Sequence, residues 1–175
     1  MAVADKSPTT QFVTMHLTPL VMRVTTATQN DTITISTYKG VWILPPAIVS
    51  TAANAIQTYT YADCNINNGG TAYGTTDTSI VIQGAPATKR VTPYYLMSGS
   101  GEILEVIADS APTAAGATLT VRRGVLGTTA SATGLANTNH LAILNQIVLS
   151  SATVGPQLLI VFPMPNDDGT ACFSG

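Results

Sequence analysis

Two stretches, Glu102-Ile103-Leu104-Glu105-Val106-Ile107-Ala108 and Ala117-Thr118-Leu119-Thr120-Val121-Arg122-Arg123, decide the fold. Their inner positions repeat with a period of two, the signature of half-buried strands. The segment between them, 109–116, holds Pro112 and Gly116, which suit a turn. An antiparallel pairing of Glu102 with Arg123 sets Leu104 against Val121 and Val106 against Leu119 on one face. It sets Ile103 against Arg122 and Glu105 against Thr120 on the other. A one-residue slip would turn the apolar set to the wrong face. The expectation is a hairpin in which a partly buried Glu102–Arg123 ion pair caps an apolar cross-strand ladder. Gly124 comes next, where the chain turns sharply out of the strand, a position that favours glycine.

The same pattern runs through most of the chain. Val, Ile and Thr abound, and turn formers separate the runs. In 11–18, Phe12 precedes Val13, Met15 and Leu17 on one face, and the alternation resumes after Pro19 with Leu20, Met22 and Val24. Further strands are expected at 32–38, 79–83, 93–97, 141–150 and 158–162, with a short apolar run at 41–44. Pro46 followed by Ile48, Ala52, Ala55, Ile56 and Tyr59 has the spacing of one short helix. Segment 63–74, with Asn65, Asn67, Asn68, Gly69 and Gly70, reads as a loop. Gly99-Ser100-Gly101 reads as a hairpin or bulge. The predicted fold is mainly β: an antiparallel β-sandwich or barrel over 19–175 as a single β domain, with an extended N-terminal arm over 1–18 and at most one short helix.

Composition narrows the function. Of 175 residues only 9% are charged, with 7 basic and 9 acidic, against a usual share of about a quarter. Thr (28) and Ala (22) take their place. So few charges give little repulsion to keep subunits apart, which points to a surface covered by neighbours. The net charge of −2 and the absence of a basic stripe argue against nucleic acid as a partner. No apolar run reaches the roughly 20 residues of a membrane helix, so no membrane partner is expected. The first ten residues have no apolar signal core, which suggests a cytosolic product with Cys64 and Cys172 as free thiols.

Catalytic and metal chemistry find little to work with. His16 and His140 stand far apart, and no His-x-x-x-His or Cys-x-x-Cys spacing occurs. Neither cysteine has a histidine or basic neighbour in sequence. Asp167 and Asp168 fall in a turn, and Gly69-Gly70 lacks the lysine of a phosphate loop. The expectation is a protein that is not an enzyme, with no cofactor and no metal. Tyr59, Tyr61 and Tyr73 are the one candidate platform for a sugar. Trp42, flanked by Val41, Ile43 and Leu44, reads as core.

The exception to the scarcity of charge is the cluster Lys89, Arg90, Glu102, Glu105, Arg122 and Arg123. Within it, Gly101-Glu102-Ile103-Leu104-Glu105-Val106, Thr118-Leu119-Thr120-Val121 and Arg123-Gly124-Val125-Leu126-Gly127-Thr128 resemble a hairpin module of tailed-bacteriophage virion proteins, such as head decoration (cement) proteins. That module has an acid before an apolar strand, a variable turn, a second strand, and then Arg-Gly-x-x-Gly-Thr. Glu102, Arg123, Gly124, Gly127 and Thr128 match it. The module's later histidine is replaced here by Thr133, before Gly134. The resemblance spans about a third of the chain. It implies a non-enzymatic structural protein on the capsid surface of a virion, assembled in the host cytoplasm. Its partners would be the major capsid protein and its own copies, as a trimer or dimer. Phe12, Val13, Met15 and Leu17 of the arm would make the assembly contacts. A tail or neck structural protein is the alternative, and a carbohydrate-binding host-recognition module a third.

Overall fold

The computed structural model describes residues 19–24, 31–43, 48–49, 56–57, 59–149 and 157–166. Among these residues twelve strands run in chain order: β1 (Leu20–Val24), β2 (Thr32–Thr34), β3 (Val41–Ile43), β4 (Ile48–Val49), β5 (Ile56–Gln57), β6 (Tyr59–Ile66), β7 (Ser79–Gln83), β8 (Tyr94–Ser98), β9 (Ile103–Asp109), β10 (Ala117–Arg122), β11 (His140–Leu149) and β12 (Gln157–Pro163). One 3₁₀ turn, Thr133–Leu135, interrupts them. The protein is mainly β, as the alternation predicts. The arm, with Phe12, Val13, Met15 and Leu17, lies outside the described residues, as do His16 and Cys172.

The central element is a closed antiparallel barrel of six strands in the order β11-β6-β7-β10-β9-β8. Closure comes from β11, which pairs with β6 on one side and with β8 on the other: Leu141 lies opposite both Cys64 and Ser98. Inward positions carry the apolar half of each alternation. Ala117, Leu119 and Val121 of β10 are buried, while Thr118, Thr120 and Arg122 between them are exposed. They pack with Ile80, Ile82, Leu96, Leu104, Val106, Leu141 and Ile143 in one continuous core, and Leu135 from the 3₁₀ turn joins it with no exposure. Closing the barrel removes the open edges that its strands would otherwise present.

A second layer covers part of the barrel wall. Strands β1, β12 and β3 form a three-stranded sheet, and β2 extends the barrel sheet from β11. Val41, Leu159 and Val161 pack against Ile147 and Ile35, with Ile33 and Tyr59 alongside. Tyr95, Ile103 and Leu144, turned outward from the barrel, are buried under Met164 and Val125. Gly40 permits this approach: a Cβ there would stand 2.8 Å from Met164 Sδ and 3.0 Å from the Tyr95 ring.

Several sequence expectations need correction. The helical spacing after Pro46 does not give a helix among the described residues. Ile48 and Val49 pair instead with Gln57 and Ile56 as a small ladder. Three of those four residues are β-branched, which disfavours a helix and favours a strand. Segment 63–74 is not all loop, because β6 runs through Asp63, Cys64 and Asn65 to Ile66. Its polar residues occupy the outward half of an alternation whose inward half is Ala62, Cys64 and Ile66. Trp42 is 43% exposed, whereas Val41 beside it is buried.

Cys64 is a free, buried thiol in the barrel core. Burial pushes its pKa up to about 12, with a smaller opposing effect from Arg90. Since the thiolate is the reactive form, Cys64 should resist alkylation in the native protein at mildly alkaline pH and become reactive in guanidinium. Peptide mass mapping after iodoacetamide treatment checks this, and rapid native labelling of Cys64 would contradict the buried placement.

Candidate functional site

Strand β9 and the residue just before it carry three carboxylates, and each meets a cation. Glu102 immediately precedes the strand, Glu105 lies in its first half and Asp109 ends it. Their side chains are 0%, 4% and 1% exposed. In a chain with so few charges, this strand concentrates them where their desolvation is costly.

At the first end, Arg123 and Glu102 form a bidentate pair. Arg123 Nε donates to Glu102 Oε1 at 2.6 Å and Nη2 to Oε2 at 2.9 Å. The backbone N–H groups of Gly124 and Ser131 donate to the same two oxygens, at 3.2 and 2.8 Å. Arg123 also donates to the carbonyls of Gly74 (2.6 Å) and Ser131 (3.1 Å). Four donors thus occupy the Glu102 carboxylate, which makes it a structural acceptor that ties together the ends of β9 and β10 and the loops at 74 and 131.

The residues after Arg123 build the rest of this end. Gly124 has φ +62°, and a Cβ there would stand 2.9 Å from the Thr128 carbonyl oxygen, so glycine is needed for both conformation and space. Val125 to Thr128 is a tight turn closed by Thr128 N–H donating to the Val125 carbonyl at 3.1 Å. Both central residues, Leu126 (φ +56°) and Gly127 (φ +74°), are left-handed, as a mirror-image turn requires. Leu126 takes this conformation at a cost, and its side chain packs on the Tyr95–Leu144–Met164 cluster. Thr128 Oγ1 accepts from Ile103 N–H at 3.0 Å and donates to the Val125 carbonyl at 2.8 Å. Glu102, Arg123, Gly124, Gly127 and Thr128 therefore form one connected unit.

The predicted register needs correction. Glu105 lies opposite Arg122 and Val106 opposite Val121; past an irregularity, Ala108 lies opposite Thr120 and Asp109 opposite Leu119. The pairing is displaced by two residues from the one that sets Leu104 against Val121. A shift of two keeps every side chain on its face, so the apolar pattern does not distinguish the two registers. Glu102 and Arg123 meet through their side chains beyond the ends of the paired segments. In the ladder proper, Glu105 joins Arg122 at 2.7 Å and also Lys39.

The irregularity is a bulge around Ile107, which is 49% exposed. One extra residue reverses the facing of the residues beyond it. Asp109 consequently lies opposite inward-facing Leu119 and reaches Arg90. Arg90 Nε donates to Asp109 Oδ2 at 2.7 Å, and its other nitrogens donate to the carbonyls of Ala111 (2.7 Å) and Ala114 (3.0 Å). Tyr94 Oη donates to Asp109 Oδ2 at 3.0 Å. Burial, helped by the Asp109 charge, holds the Tyr94 phenol far above its usual pKa, so it remains a donor. The charge cluster in the sequence includes Arg90, but Asp109 falls in the segment that reads as a turn. Sequence reasoning therefore misses this second buried pair; it misses separately Lys39, whose partner is Glu105.

The remaining candidates lie elsewhere. The Tyr61 hydroxyl donates to Val41 O at 2.7 Å and accepts from Ile43 N–H, and the Tyr73 hydroxyl accepts from Val81 N–H. With Tyr59 packed between layers, the three tyrosines do not make an exposed platform. His140 Nδ1 lies 2.9 Å from Asp63 Oδ2, both well exposed. His140 lines an open depression of about 490 Å³ with Gly99, Ser100, Thr133, Thr138 and Asn139. Among the described residues no three His, Cys, Asp or Glu side chains gather as metal ligands.

No family model matches the chain, and neither a curated protein nor a solved structure matches it.

Removing one partner from the Glu102–Arg123 pair leaves a buried charge alone. Arg123→Ala should lower unfolding free energy by about 3–5 kcal/mol, and the double variant Glu102→Gln with Arg123→Met should recover part of that loss. Urea unfolding of the variants checks both, and a loss within the range of an exposed pair, under about 1 kcal/mol, would contradict the buried geometry. Gly124→Ala should cost more than about 1 kcal/mol, since alanine in a left-handed conformation is strained even before the clash at Thr128.

Proposed function

We propose that this chain is a non-enzymatic bacteriophage capsid decoration (cement) protein, which clamps major capsid subunits and stabilises the shell. The observation that carries the reading is where the charge sits. Four of the seven basic residues, Lys39, Arg90, Arg122 and Arg123, are engaged by the three carboxylates of β9. Apart from Arg122, whose side chain stays half-exposed, the described surface carries only Asp31, Asp63, Asp77 and Lys89 as exposed Asp, Glu, Lys or Arg, and it has exposed apolar side chains at Val21, Trp42, Ile107 and Ile160. Such a surface grips through area and main-chain pairing rather than through charge.

The match of Glu102 and Arg123-Gly124-Val125-Leu126-Gly127-Thr128 to the virion module gives further support, because those residues act together as one structural unit. A rigid, cross-tied barrel suits a part that must hold its shape between larger subunits. The carbohydrate-binding alternative draws no support from the tyrosines, whose hydroxyls at Tyr61 and Tyr73 are taken by backbone groups.

A ligand that binds only the assembled state stabilises it by mass action. Capsids carrying the protein should therefore rupture at a higher temperature than stripped capsids, and adding it back should restore the difference. Equal rupture temperatures would refute the clamp. A quantitative gel of whole virions separates this reading from the tail or neck alternative. A shell role requires copies in proportion to the capsid protein, whereas a neck ring requires only a few.

A further inference from the structure

Strand β11 departs from β6 for three residues. Ile143 lies opposite Ala62 and Ile147 opposite Tyr61, so Leu144, Asn145 and Gln146 bulge out of that ladder. Adjacent residues of a regular strand face opposite ways, but here Asn145 and Gln146 both reach the segment 88–91. Asn145 Nδ2 donates to the Val91 carbonyl over a long 3.5 Å. Gln146 Nε2 lies 3.2 Å from the Thr88 carbonyl, 3.3 Å from the Lys89 carbonyl and 3.0 Å from Thr34 Oγ1. Both residues are fully buried. These contacts fix which way each amide points. Backbone carbonyls only accept, so the amide nitrogens must face them, and turning either amide over would set oxygen against oxygen. That leaves Asn145 Oδ1 and Gln146 Oε1 buried, and among the described residues no protein donor reaches either one. A buried acceptor left without a donor is costly, and native proteins satisfy nearly all of them.

We propose that the β11 bulge and segment 88–91 enclose a binding site for ordered water, which donates to Asn145 Oδ1 and Gln146 Oε1. The neighbouring protein donors are already committed. The Arg90 guanidinium donates to Asp109, Ala111 O and Ala114 O, and its N–H to Pro112 O. Ile35 N–H donates to the backbone oxygen of Asn145 at 2.8 Å. Water is small enough for such a seam, gives two hydrogens and accepts in return, and buried waters typically bridge polar groups of this kind. Two neutral amide oxygens fall far short of the roughly six oxygens that a hard cation such as calcium or magnesium takes. Thr88 and Lys89 are exposed on the outer side of the segment, so solvent lies one layer of chain away. The bound water completes the attachment of this connection, which Arg90 ties toward β9 and the two amides tie to β11. The site belongs to the folded single chain and does not depend on any role in a shell.

A high-resolution crystal structure of the full-length protein should show solvent density within hydrogen-bonding distance of Asn145 Oδ1 and of Gln146 Oε1. In solution, the side-chain NH₂ protons of both residues should give cross-peaks to water whose sign marks a molecule bound for longer than the protein takes to tumble. Asn145→Leu keeps the shape of the side chain and removes its oxygen, so the density at that position should vanish. Absence of solvent density at both oxygens would overturn the inference, as would a protein donor found on each of them. A melting temperature that differs between sodium and potassium chloride in wild type but not in Asn145→Leu would also overturn it, by assigning the site to an ion. The crystal and cross-peak measurements need only the wild-type chain, so a poorly folded variant leaves the inference open to refutation.

Discussion

The three carboxylates of β9 are the constraint on which the rest of the barrel depends. Each lies in a setting where an unpaired charge would be intolerable, so each demands a cation at a defined place. Glu102 calls for Arg123 just beyond β10, Glu105 for Arg122 and Lys39, and Asp109 for Arg90. Separate stretches of chain are thereby tied to one strand. Apolar burial supplies most of the driving force for closing the barrel, but it is non-directional. The charged pairs have direction, and they decide how the strands line up.

Why alignment needs such help is a matter of strand geometry. Side chains alternate with a period of two, so a shift of one residue is severely penalised and a shift of two is not. Leu104 against Val121 and Val106 against Val121 bury equally well. The observed register is the one in which Glu105 faces Arg122 while Arg123 reaches Glu102 with both forks. A two-residue displacement moves a side chain roughly 7 Å along the strand, far outside hydrogen-bonding range. The bulge at Ile107 adds a second condition. It turns Asp109 inward, so the far end of β9 is fixed by Arg90 as well.

The same geometry separates the features that are legible in the sequence from those that are not. The alternation of β10, and the partnership of Glu102 with Arg123 though not their placement opposite each other, can be read because inward and outward positions differ in composition. Strand β7 can be bounded for the same reason. The register cannot, because parity is all that alternation encodes. The bulge leaves no sign either, since Ile107-Ala108 looks like ordinary strand until the third dimension turns Asp109 to Arg90. Ile48 and Ile56 mislead because a spacing of eight fits two helical turns, whereas these positions belong to two paired strands. The outward residues of β6, Asp63 and Asn65, look like loop because turn formers and exposed strand positions share a composition. Barrel closure by β11 on β8 joins segments more than forty residues apart, which no local pattern contains.

Buried ion pairs are weak contributors to net stability, since well-packed apolar residues often do as well or better. Their presence here is better understood through the charge they withdraw from the outside. A chain with 7 basic and 9 acidic residues has few charges to distribute. Glu102, Glu105, Asp109, Arg90 and Arg123 are withdrawn from solvent, while Arg122 keeps its side chain half-exposed; among the described residues the other exposed charges of Asp, Glu, Lys and Arg are Asp31, Asp63, Asp77 and Lys89. Within the barrel every strand edge is closed, so a surface this short of charge is harmless there. It becomes consequential at the three-stranded sheet, where β1 presents Val21 beside Ile160.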